Sequence, residues 1–347
     1  MTDASAPGKL VLVGEYAVLS GAPAIVTAVD VRARVKVMAI PGAESTFFDT
    51  ATGRAYYFVI EDGAGLRWVD EQPEVTGTIL EAVIAACSEH SLLFADGPSF
   101  RVSIDTDDFF TQVDGRWTKL GIGSSSAALV ALVGALADEL NLSMTPEEIL
   151  AICHSAHRRF QGGSGSGADV ATAVYGGVIA ARRAPESETI DVTRCDWPED
   201  LLALPIWSGV SASTTDLLKR YERFQDDNPD DYRRHLRRLK SISEQACVAW
   251  TEQSVIDVLN ALAGYDDALL ALDADARIGI SSEPHDRIRQ LVEQQGAIYK
   301  TSGAGGGDFG LALTDSAELL DAVRVACRDA GFEILDKPFL AEGLIVT

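Results

Sequence analysis

Leu120-Gly-Ile-Gly-Ser-Ser-Ser-Ala-Ala-Leu129 is the stretch on which the reading of the fold turns. Its two glycines let the backbone approach a ligand closely, and consecutive free N–H groups form a concavity suited to an anion. The loop opens into an apolar run, Ala127 to Ala137, that ends at Asp138-Glu139. This predicts a helix over Ser125–Leu140 whose positive N-terminal end faces the same anion. Residues 120 to 137 carry no charge and approach the length of a membrane span. Their first third is rich in Gly and Ser, which leaves the apolar part too short, so a buried helix is the better reading. Two more glycine-rich segments lie far away in the chain. They are Ala6-Pro-Gly-Lys-Leu-Val-Leu-Val-Gly-Glu-Tyr-Ala-Val-Leu19 and Lys300-Thr-Ser-Gly-Ala-Gly-Gly-Gly-Asp-Phe-Gly310. One such loop is an ordinary turn signal; three, each set against a predicted strand or helix, argue for a phosphorylated ligand.

Working outward, Leu10–Val13 and Ala24–Ala39 read as strands at the start of a sheet, and the aromatic-rich residues 40 to 75 as further strands or an insertion. A helix is predicted over Val75–Glu89 and a strand over Ser99–Ile104. A second helix runs from Pro146 to Phe160, with Thr145 as N-cap and Glu148 three residues on. Residues 204 to 208 read as a buried strand, and Thr214–Leu272 as strongly helical. The chain closes with a helix at His285–Gln295, a strand–loop–strand over 298 to 313, a helix at Ala317–Ala330, and short strands at 332–335 and 343–346. Strands and helices come in blocks, which favours a two-layer α+β fold over a doubly wound sheet.

The 347 residues suffice for two domains. Acidic residues outnumber basic ones 52 to 29, a formal charge of -23, which disfavours nucleic acid and anionic membranes as partners. Arginine supplies 22 of the 29 basic residues and permits forked contacts to phosphate. The basic stretch Tyr232–Lys240 is flanked by acids and reads as a solvated helix face. Five scattered cysteines without a C-x-x-C pair read as reduced thiols, and Met1-Thr-Asp-Ala-Ser lacks a signal core. A cytoplasmic protein is expected.

At its three glycine segments the chain resembles the GHMP kinase superfamily. Pro7–Tyr16 carries the opening lysine, Lys9; Gly121–Ala127 matches the phosphate loop, with Ile122 where leucine is usual; Ser302–Asp308 matches the C-terminal glycine loop. The resemblance spans nearly the whole chain. It implies an N-terminal ribosomal-protein-S5-like domain with a left-handed βαβ unit over 1–185, a ferredoxin-like domain over 186–347, and ATP with Mg2+ between them. Within the superfamily the chain is most similar to phosphomevalonate kinases, through Ala156-His-Arg-Arg-Phe-Gln-Gly-Gly-Ser-Gly-Ser-Gly-Ala-Asp169, Trp207-Ser-Gly-Val-Ser-Ala-Ser-Thr214, and Asp308. Mevalonate kinases have an acidic magnesium ligand where this chain has Arg158.

The resemblance assigns catalysis to Lys9 and Asp169, and ATP binding to Gly121, Ile122, Gly123, Ser124, Ser125, Ser126 and Ala127, with Ser125 as the metal contact. Acceptor-side candidates are Glu15, Tyr16, His157, Arg158, Ser166, Ser213, Thr214, Gly303, Ala304 and Gly305, with Lys119 as a further cation. Asp308 is read as an anchor of the third loop, and Gly306 completes that loop. A phosphorylated acceptor is the expected partner, and a homodimer is left open. A phosphate nucleophile is mostly ionised at neutral pH. Asp169 is therefore expected to orient Lys9 and the metal more than to take a proton. The leading expectation is phosphoryl transfer to phosphomevalonate. Mevalonate or another small molecule is the alternative acceptor, and a silent ligand sensor is disfavoured because Lys9 and Asp169 are both present.

Overall fold

The computed structural model describes all residues except 43, 51, 62–64, 70, 74, 93–96, 114, 162–164, 184–188 and 338. In chain order the first elements are β1 (Thr2–Val13), β2 (Ala24–Ile40), β3 (Ser45–Asp49), β4 (Arg54–Glu61), β5 (Gly65–Trp68), α1 (Val75–Glu89), β6 (Ser99–Asp105), β7 (Phe110–Val113) and β8 (Arg116–Lys119). Then follow α2 (Ser124–Glu139), α3 (Pro146–Phe160), α4 (Ala168–Tyr175), β9 (Val178–Arg182), β10 (Asp191–Cys195) and β11 (Leu202–Trp207). The remainder is α5 (Thr214–Asp227), α6 (Pro229–Thr251), α7 (Val255–Ala276), α8 (Glu283–Gln294), β12 (Ile298–Thr301), β13 (Phe309–Thr314), α9 (Ala317–Asp329), β14 (Glu333–Ile334) and β15 (Ile345–Val346).

The large sheet runs β10-β9-β2-β6-β3-β4-β5, and β1 pairs with the free edge of β2 and with β15. Residues Ala24–Val29 of β2 are buried on both faces, whereas burial alternates after Asp30. The first half therefore lies under two layers and the second half has a solvated face. Helix α2 lies against β1 and β2, which explains the lack of charge before Asp138: thirteen of its sixteen residues are buried. Each large apolar side chain there contributes about 1.5–3 kcal/mol by burial. The capping box at α3 forms as its sequence predicts. Glu148 N–H donates to Thr145 Oγ1 at 3.3 Å and Thr145 N–H donates to Glu148 Oε2 at 2.8 Å.

A second, antiparallel sheet runs β12-β13-β11-β14, with α8 and α9 packed on it. Pairing draws the two units differently from a cut at residue 186, a point that falls among residues outside those described. Strand β10 still pairs with β9, and the chain's last strand returns to β1 through Ala4↔Val346 and Ser5↔Ile345. Leu344 packs on Gly134 of α2, where a Cβ would come within 2.7 Å of its side chain. A tail that ends a chain is placed by tertiary packing, not by local pattern. The basic stretch of α6 is a solvated face: Tyr232, His235 and Leu239 point inward while Arg233 and Arg234 pair with acids. All five cysteines are free thiols, and Cys87, Cys153 and Cys327 are buried.

Candidate active site

The phosphate loop is seated on β1. Lys9 N–H donates to Ile122 O at 2.8 Å, and at Gly8 a Cβ would lie 2.8 Å from the same carbonyl. Only glycine permits that approach, and it turns the Lys9 side chain along the loop, over Gly123 and toward Gly303.

The first and third glycine segments are joined across the fold. Tyr16 Oη donates to Ala304 O at 2.6 Å, Val11 N–H donates to Ser302 Oγ at 2.9 Å, and Gly303 N–H donates to Glu15 Oε1 at 3.3 Å. Beneath them Lys300 and Glu15 form a fully buried ion pair. Glu15 and Tyr16 therefore hold the third loop in place; their side chains reach the cavity wall but are already engaged.

A cavity of about 670 Å³ lies between the two units. It is lined by Lys9, Gly121, Gly123, Ser125, Ser166, Asp169, Thr214, Gly303 and Ala304, and also by Lys119 and Asp308. Ile122, Ser124, Ser126 and Ala127 stand behind the loop as buried support, with Ser126 Oγ donating to Gly123 O at 2.9 Å. Asp169 sits in the first turn of α4. His157 is buried behind it, its Nε2 3.4 Å from Asp169 Oδ2 and otherwise without a hydrogen-bond partner among the described residues.

Four expected acceptor-side residues do not line this space. Arg158 and His157 are not on the wall. Ser213 caps α5, accepting from Asp216 N–H at 3.3 Å, and Gly305 turns away onto Ile280. On a helix one residue of offset rotates a side chain by about 100°. Motif position alone could not set which of two neighbours faces inward. The segment Gly162–Ser164 lies outside the described residues.

Asp308 has φ +58° and presses on Gly121, which has φ +79°. A Cβ on Gly121 would fall within 2.0 Å of the Asp308 carboxylate carbon. Its Oδ1 accepts from Ala212 N–H at 3.1 Å. Burial raises its carboxyl from 3.8 to about 6, opposed by that N–H and by Lys9 and Lys119. Desolvation by the walls lowers the Lys119 ammonium, with Asp308 pulling the other way.

Residues 80–177 match the GHMP kinases N terminal domain. That match covers one segment of the chain, and full-length relatives of the same superfamily resemble it at low identity. It is 28% identical over 359 residues to phosphomevalonate kinase of a Streptomyces strain, CL190, covering 93% of this chain and 92% of that one. It is 26% identical over 347 residues to mevalonate kinase of Thermococcus sibiricus, covering 93% and 92%. Streptococcus pneumoniae phosphomevalonate kinase, solved with phosphomevalonate and AMPPNP, superposes with a TM-score of 0.79 at 19% identity, covering 98% of this chain and all of that one. The two-domain α+β fold is that of the GHMP kinases. No helix among the described residues is long and apolar enough to cross a membrane.

Two lysines of the site region were not anticipated from the sequence. The chain has only seven, and three of them, Lys9, Lys119 and Lys219, line one cavity, with Lys300 buried behind it. A signal for Lys300 was present: a lysine inside the strand Ile298-Tyr-Lys-Thr301 has to be buried and paired. Lys219 sits on a polar helix face, where nothing local distinguishes it from solvated charge.

Proposed function

We propose that the protein transfers the γ-phosphoryl group of ATP to phosphomevalonate, giving mevalonate diphosphate and ADP. The observation that carries this reading is that one cavity offers two separate seats for anions. The first is the phosphate loop with the N-terminus of α2 and Lys9. The second is the start of α5, where Thr214, Thr215 and Lys219 line the same cavity. A donor polyphosphate needs one seat, and an anionic acceptor needs the other, most of all one that carries a phosphate as well as a carboxylate. The resemblance to phosphomevalonate kinases over almost the full length supports the same acceptor.

In the transfer, an oxygen of the acceptor's phosphate bonds to the γ-phosphorus. The bond to the β-bridging oxygen breaks, and its electrons leave on ADP. Lys9 is placed to stabilise charge on the transferred group, and the α2 amides to hold the donor phosphates. The acceptor phosphate is already mostly ionised near neutral pH, so Asp169, backed by His157, serves to orient rather than to deprotonate. The loop's open anion seat and the Ser125 hydroxyl on the cavity wall fit a magnesium nucleotide. When bound, that ion screens polyphosphate charge.

The test is ADP release with ATP and magnesium, comparing phosphomevalonate and mevalonate as acceptors. Turnover with phosphomevalonate alone is expected. Turnover with mevalonate alone would move the assignment to the other acceptor, and silence with both would leave a ligand-binding role.

A further inference from the structure

Asp308 is a costly residue for an anchor. It holds a left-handed backbone conformation that asparagine adopts more readily, and asparagine would accept the same Ala212 N–H without burying a charge. No lysine or arginine among the described residues forms an ion pair with it within 4.0 Å, although Lys9 and Lys119 act on it from a distance. Its carboxylate nonetheless lies against Gly121, at the mouth of a loop built to hold phosphate. An anion pressed on an anion seat opposes the ligand unless a cation comes between them.

The other carboxylates facing the cavity are placed differently. Glu15 is consumed by Lys300, Asp169 faces His157, and Glu222 stands on α5. No cluster of three or more acidic, His or Cys side chains among the described residues could hold a metal ion unaided. A cation here therefore has to arrive with the nucleotide, which suits magnesium: it is usually bound by one or two carboxylates together with substrate phosphates.

We propose that Asp308 is the carboxylate through which the C-terminal unit holds the divalent cation of a bound nucleotide against the phosphate loop. This rests on the nucleotide reading above and adds to it a partner for Ser125 from the far side of the cleft. It also accounts for a negative charge on the third glycine loop, which that loop brings to Gly121 where the two units meet.

The test is ADP affinity by calorimetry, in excess magnesium and in excess chelator, for wild type and Asp308→Asn. Wild type is expected to bind ADP about tenfold or more tightly with magnesium. In Asp308→Asn that ratio should fall toward one, while metal-free ADP binds as well as or better than in wild type, because a repulsive charge has gone. Equal weakening in both conditions would make Asp308 an anchor only and overturn the proposal, as would a ratio unchanged from wild type. Wild type that fails to bind ADP in either condition would instead sink the nucleotide reading, and this inference with it. Release of bound Mn2+ from the wild-type ADP complex, followed by electron paramagnetic resonance and repeated with Asp308→Ser, gives a second readout should the Asn variant not fold.

Discussion

Helices α2 and α5 both present their first turns to the cavity, yet they are held in opposite ways. Thirteen residues of α2 are buried, and it is wedged between the large sheet, α1 and α3. Only Leu217, Tyr221 and Phe224 of α5 are buried, so one apolar strip secures it and its other faces stay polar. A helix packed on all sides has one position, because close-packed interiors tolerate little displacement. A helix held by one strip can change its outward side chains at little cost. On the proposed function, the donor seat is thus built on the tightly packed part of the architecture, and acceptor choice on the part that a substitution can reach cheaply.

The largest test of this contrast is Lys9→Ala, which removes the cation of the fixed wall. kcat with phosphomevalonate is expected to fall by about 10²–10³, while folding is unchanged by thermal melt. A kcat left near the wild-type value would show that the fixed wall does not rely on this cation.

Next comes the joint between the walls. Lys300→Met leaves the Glu15 carboxylate buried and unpaired and should cost about 3–5 kcal/mol in denaturant unfolding. A cost below about 1 kcal/mol would show that the third loop is held by its backbone bonds alone.

Lys219→Ala probes the adjustable wall. KM for the phosphorylated acceptor should rise about tenfold, with KM for ATP and the melting temperature unchanged. An equal rise in both KM values would break the assignment of separate seats.

The smallest effect is on stability against pH. The Asp308 carboxyl is raised from 3.8 to about 6 in the folded protein. Between those values the folded chain holds the proton more tightly than the unfolded one, so this group's contribution falls as pH rises through that window. Ligand-free Asp308→Asn should therefore be more stable than wild type at pH about 8, by on the order of 1 kcal/mol after allowing for solvent screening. The advantage should vanish near pH about 4. A gain that persists there would have a cause other than the charge.

Much of the architecture was legible beforehand because it is written locally. Helix α1 and the capped helix α3 fall on their predicted residues, and the phosphate loop leads into α2 within one residue. The site was legible only in part. Lys9, Gly121, Gly123, Ser125, Asp169, Thr214 and Gly303 meet at one cavity, but His157, Arg158, Ser213 and Gly305 do not line it, and Lys219 was passed over.

From the sequence alone came the two-layer α+β class, the glycine loops, the helix that follows the second of them, and the expectation of a polyanionic ligand. These rest on helical periodicity, capping and glycine placement, which act within a few residues. The tertiary structure alone decided that Lys300 pairs with Glu15 across 285 residues of chain, that Asp308 bears on Gly121, and that the C-terminal strand closes the N-terminal sheet. Such contacts exist only once loop closure has been offset by burial elsewhere, so no local pattern encodes them.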